Sequence, residues 1–153
     1  MVQTNNEFVD DASSLAESIL ASMADALIYA DAAGTIRRWN RAAADLFGYS
    51  PAEALGQSLD LIVPEHLRAA HWRGFEAAMT SGALKLSGRP TLTRAMHRTG
   101  RKLYVELTFA LVAADAGGAA RGAVAVARDV TERIEQQKRA DTRGDPVGGR
   151  KSG

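Results

Sequence analysis

The stretch 102-KLYVELTFALVA-113 decides the fold. Leu103, Val105, Leu107, Phe109 and Leu111 alternate with Tyr104, Glu106 and Thr108, the period of a strand with one buried face. Two more strands flank it, Gly88–His97 before and Ala120–Asp129 after, with turns at Thr99-Gly100 and Ala116-Gly117-Gly118. A second strand-rich region lies upstream. There Ala26–Ala30 and Thr35–Trp39 form a hairpin across Asp31-Ala32-Ala33-Gly34.

Helices fill the space between these two regions. Asn40 is placed to cap a helix running through Phe47 and ended by Gly48. Ser50-Pro51-Ala52-Glu53 is a capping box with proline at the first helical position. A short apolar segment, Leu59–Val63, closes at Pro64, and a longer helix runs from Pro64 to Thr80 with Ser81-Gly82 as its stop. A leading helix from Phe8 to Met23 follows a polar start over residues 1–7, and a last helix runs from near Val130 to Ala140. This order predicts an α+β fold: a five-stranded antiparallel sheet with helices on one face, making a half-open cup, plus flanking helices at both ends. The expected division is 1–14 for the polar start and the beginning of the flanking helix, 15–130 for the domain, 131–141 for the exit helix and 142–153 for a disordered tail.

Composition narrows the function. The 153 residues fit one domain, and 24% charged with a net charge of +1 argues against a dedicated nucleic-acid binder. The absence of cysteine removes disulfides, thiolate metal sites, iron–sulfur clusters, catalytic thiols and flavin–cysteine adducts. The N-terminus carries acids where a secretory signal has bases, and no stretch approaches a membrane span, so a cytoplasmic protein away from membranes is expected. No phosphate-cradling glycine loop, HExxH spacing or nucleophile elbow is present, which disfavours an enzyme. Alanine is in surplus, 29 residues in all, several of them (Ala70, Ala78, Ala123, Ala125, Ala127) where they would line the cup thinly.

The segment ADAAGTIRRWNRAAADLFGYSPAEALG resembles the first half of a PAS domain, and HRTGRKLYVELTFALV with the later GGAARGAVAVARDVTER resembles the second half. The Trp39-Asn40 pair, the Phe47-Gly48-Tyr49-Ser50 turn, Gly100 and the closing Asp129-Val130-Thr131 carry the likeness, which runs from about Leu15 to Ala140. The resemblance implies a sensory and dimerisation module, not an enzyme. Such a module binds heme, flavin, a small metabolite or nothing, and passes a change through the helix after the last strand. Fold likeness alone does not choose among these.

On the central helix, Leu67, Ala70, His71, Gly74, Phe75, Ala78 and Met79 form one apolar stripe, with Arg68 pointing elsewhere and Trp72 off its centre. A neutral imidazole among apolar walls suits heme iron; it equally suits a core histidine bonded to a neighbour. Here the chain resembles more closely the heme-binding PAS modules of oxygen-sensing histidine kinases, in which a Pro-Glu-x-x-Arg-x-x-His segment ends on the axial ligand. Pro64-Glu65-His66-Leu67-Arg68-Ala69-Ala70-His71 matches it, which implies heme b held by His71. Phe75 and Leu107 are the expected apolar cover of the cofactor. Those modules place an arginine over the distal side; that position is Thr91 by ungapped spacing and Arg89 by the local Gly-Arg pattern. Met96 is a second distal candidate, as a sulfur ligand or as a core side chain.

His66 lies about 140° round the helix from His71 and is expected at the surface, as is His97 beside its turn. Trp39 and Trp72 are expected to pack. Asp129 is expected to tie the last strand to the exit helix, with Glu132 completing a helix start. With no output domain in this sequence, the expected partners are a second copy, bound through the leading helix, and a downstream signalling protein or a missing output domain.

Overall fold

The computed structural model describes residues 4–84, 88–113 and 119–144, and the side chains from Ser13 onward within them. The elements are α1 (Thr4–Ser22), β1 (Ala26–Asp31), β2 (Ile36–Trp39), α2 (Arg41–Phe47), α3 (Pro51–Ala54), a 3-10 turn at Leu59–Leu61, α4 (Glu65–Ser81), β3 (Thr91–Met96), β4 (Lys102–Ala113), β5 (Ala120–Asp129) and α5 (Thr131–Arg143). All strand pairs are antiparallel, in the order β2-β1-β5-β4-β3. The predicted five-stranded sheet and its α+β class are what forms.

The register turns the alternation of β4 into one continuous inner face. Ile28 pairs with Ala125, which pairs with Phe109; Ala26 pairs with Ala127, then Leu107, then Thr91. The helices α2 and α3 cover the near part of this face. Phe47, Ile36, Leu103 and Val105 are its largest fully buried side chains, joined by Trp39, Ala43, Ala54 and Ala95. Many of the surplus alanines are therefore core residues where helix and sheet come close.

Local signals hold where they are self-contained. Asn40 Oδ1 accepts from Ala43 N–H at the start of α2, and Gly48 ends that helix in the left-handed conformation. Ser50 and Glu53 form the full capping box. Asn40 also does what its cap role does not foretell. Its Nδ2 donates to Leu20 and Asp25 carbonyls, and its Oδ1 accepts from Leu27 N–H, so one amide joins α1, β1 and α2.

Several boundaries differ from expectation. Helix α1 begins at Thr4, four residues before the apolar rhythm, because TNNE precedes a helix already nucleated downstream. Strand β3 begins at Thr91, since Pro90 offers no N–H to a ladder and Gly88 turns the chain with φ +72°. The exit helix starts at Thr131 with Val130, not Asp129, at its cap position and no side-chain cap bond; Asp129 Oδ1 instead accepts from Thr131 N–H, and Thr131 Oγ1 accepts from Tyr104 N–H. Thr142 and Arg143 extend that helix, whereas the rest of the expected tail beyond Gly144 and the Ala116-Gly117-Gly118 turn lie outside the described residues. On the outer side of β4, Lys138 Nζ donates to Tyr104 Oη at 2.6 Å and Arg133 pairs with Glu106, seating the first turns of α5.

Candidate functional site

Helix α4 carries the candidate, and its inner face is not quite the predicted stripe. His71, Phe75, Ala78 and Met79 face inward as expected, but Ala70 and Gly74 are exposed while Arg68 and Trp72 turn in. The inward face is shifted by roughly 45° round the helix, about half the 100° between neighbouring positions. The cause lies outside it: Trp72 Nε1 donates to Asp60 Oδ1 at 2.8 Å, and Arg68 donates to the Val63 and Asp60 carbonyls. The far edge of the indole reaches the β1–β2 turn, where Gly34 has φ +79° and a Cβ would overlap Trp72 Cη2 and Cζ3.

His71 sits in a small aromatic cluster. Its ring meets Trp72 edge-on, centroids 4.9 Å apart at 75°, and faces Phe75 at 6.0 Å and 29°; Trp72 and Phe75 meet at 5.5 Å and 79°. Burial pushes the imidazole pKa below its ordinary value, against a smaller opposing pull from the Asp60 carboxylate. The ring is neutral at pH 7, so one of its nitrogens carries a lone pair. Its Nδ1 is buried without a hydrogen-bond partner, the single such side-chain atom among the described residues.

The other candidates fall into place around this ring unevenly. Leu107 lies on the inner face with Phe109 and Leu111, opposite Ala127, Ala125 and Ala123, and the far part of this face is only half-buried. Thr91 shares that face, paired with Leu107. Arg89 is exposed ahead of β3. Met96 pairs with Lys102, two steps along from the Arg94–Tyr104 pair, which puts it on the outer face of β3, away from Leu107. The structure thus brings His71 and Phe75 together on α4, which packs on β5, the strand paired with Leu107, and leaves Met96 and Arg89 outside. His66 is exposed; His97 packs against Gly48 and bonds Thr99. Trp39 is buried against Phe47 and donates to the Tyr49 carbonyl.

The donor chemistry discriminates between metal groups. No three His, Asp or Glu side chains converge among the described residues, so a bare ion has no cage. A single imidazole suffices for iron that brings its own macrocycle, and apolar walls beside it suit the porphyrin. The residues present fit heme in that sense. Trp72 packs as expected, whereas sequence reasoning did not single out Asp60, the acceptor that holds its indole.

The chain matches the PAS fold family model over residues 20–135. It is 30% identical over 122 residues to the sensor protein FixL of Bradyrhizobium diazoefficiens, covering 80% of this chain and 24% of that protein. It is also 30% identical over 122 residues to an uncharacterized protein of Azorhizobium caulinodans, covering 79% of this chain and 16% of that one. The chain therefore spans a quarter or less of the curated relatives it matches. Among solved structures, the PAS domain of a Colwellia psychrerythraea protein superposes with a TM-score of 0.68 at 21% identity, covering 80% of this chain and all of that one. An RNA-binding light-oxygen-voltage receptor superposes with a TM-score of 0.65 at 20% identity, covering 93% of this chain and 39% of that one. No helix among the described residues is long and apolar enough to cross a membrane. With the five-stranded sheet, its strand order and this match over residues 20–135, the chain belongs to the PAS fold family.

Proposed function

We propose that this PAS module is a cytoplasmic, non-catalytic sensor that holds heme b through His71 and responds to a diatomic gas or to redox state. The observation that carries the reading is the neutral His71 imidazole, inward on α4, with a buried nitrogen that no described residue engages. An unpartnered buried polar atom is costly, and ligand binding at the ring is a physical reason to keep it. Heme supplies reversible gas binding or a one-electron change. Phe75 and Leu107 cover it, and Thr91 and Thr93 are the inward polar side chains on β3. Protein purified from heme-supplemented cells is expected to show a Soret band that is lost or displaced in His71→Ala. A band absent from the parent, or unchanged in the variant, overturns the reading.

The same reading includes a homodimer and a downstream signalling protein in trans or an output domain joined to this module, with no role for nucleic acid. Leu15 and Ile19, one turn apart on α1, are 61% and 55% exposed, an apolar pair without cover. Sedimentation is expected to give a dimer that Leu15→Glu with Ile19→Glu converts to monomer; a monomeric parent overturns this part.

A further inference from the structure

Among the described residues neither ring nitrogen of His71 makes a hydrogen bond, so the usual means of fixing a metal-binding imidazole, a hydrogen bond on the nitrogen that does not hold the metal, is missing whichever nitrogen binds. Its orientation comes from the two rings against it, and those rings are free to turn with α4 unless one of them is anchored. Trp72 is the anchored one. Its N–H is held by Asp60, and its far edge lies on the Gly34 backbone. Asp60 is itself fixed on three sides. Its N–H donates to Ser58 Oγ, its carbonyl accepts from Arg68, and the preceding Leu59 N–H donates to the Gly34 carbonyl. The β1–β2 turn, the 3-10 turn and α4 thus meet at one indole. Because neighbouring helix positions differ by about 100°, fixing Trp72 fixes the direction in which His71 points.

We propose that Trp72 and Asp60 are the positioning pair for the His71 imidazole, orienting it through ring contact in place of a hydrogen bond. The pair holds the ring in its binding direction before any ligand arrives, so the site is preorganised by an aromatic contact and a carboxylate 11 residues upstream of the histidine. The consequence for cofactor binding rests on the reading of His71 as the iron ligand; the orientation itself does not.

The test removes the anchor without touching α4. In heme-free protein, the His71 ring protons are expected to carry a ring-current shift from the adjacent indole. Asp60→Leu, which cannot accept the indole N–H, is expected to move these resonances toward free-imidazole values; Asp60→Asn, which retains an acceptor oxygen, is expected to keep them. Hemin titration is expected to show about tenfold to a hundredfold weaker binding in Asp60→Leu and near-parent binding in Asp60→Asn. Far-UV circular dichroism confirms that each variant is folded, and Trp72→Phe, which keeps an aromatic side chain and loses the N–H donor, is expected to weaken hemin binding as Asp60→Leu does. Unchanged His71 resonances in folded Asp60→Leu, or parent-like hemin binding in folded Trp72→Phe, overturn the proposal. A parent that takes up no hemin, with the resonance shifts as expected, overturns the heme reading alone.

Discussion

The two halves of the cup differ in how completely they are closed. Beneath α2, Ile36, Phe47, Leu103 and Val105 are 0–1% exposed, and the polar atoms of Trp39 and Asn40 all find partners. Farther along the same sheet face, Phe109 and Leu111 stand opposite alanines of β5 and are only half-buried, and α4, which packs on β5, carries an imidazole nitrogen without a partner. One half buries large side chains completely; the other faces small ones and stays half-exposed. The first specifies the fold, and the second borders the helix that carries the proposed ligand.

The contrast is sharpest in truncation. Phe47→Ala is expected to cost about 3–5 kcal/mol, since it empties a fully buried site, whereas Phe109→Ala is expected to cost about 1 kcal/mol. Urea denaturation of the two variants checks this, and equal losses would erase the distinction between the halves. Gly34→Ala is next, at about 2 kcal/mol, from left-handed backbone strain together with overlap on the indole. In a Trp72→Ala background the penalty is expected to fall toward the strain alone, which a double-mutant cycle measures.

A pH series probes the open half directly. The folded state depresses the His71 pKa, so the unfolded chain takes up a proton that the folded chain refuses. The stability this contributes is complete above about pH 6.5 and is lost as pH falls from there toward the folded value. Heme-free protein is expected to show a falling urea midpoint between pH 7 and pH 5.5, with a shallower fall in His71→Gln; parallel slopes would show that the ring is not held neutral by burial. The smallest effect belongs to the surface. Arg128→Ala, which removes a two-point pair with Asp25 at 3.0 and 3.1 Å, is expected to lower the urea midpoint only slightly, by an amount that fades with salt.

What the sequence made legible was whatever a few adjacent residues decide. The alternation along Leu103–Leu111, the cap at Asn40 and the box at Ser50–Glu53 each carry their own cause, and each forms as read. The phase of α4 was not legible. Its stripe averages over small residues, and the true inward face is chosen by an acceptor at Asp60 and a bare backbone at Gly34, 12 and 38 positions from Trp72. The face of Met96 likewise depends on its pairing with Lys102, a register no single strand displays. His71 was found because its residue type and neighbours are local; what orients it is distant in the chain.

Asn40 has a mechanical consequence. Its amide grips the Leu20 carbonyl near the end of α1 and the Asp25 carbonyl just before β1, while holding the first turns of β1 and α2 with its oxygen. A helix fastened at one end to a buried post cannot slide along its own axis without breaking that grip. Swinging about the post leaves it intact. Any displacement that α1 exchanges with the domain is therefore a lever stroke, largest at the Thr4 end and smallest beside the sheet.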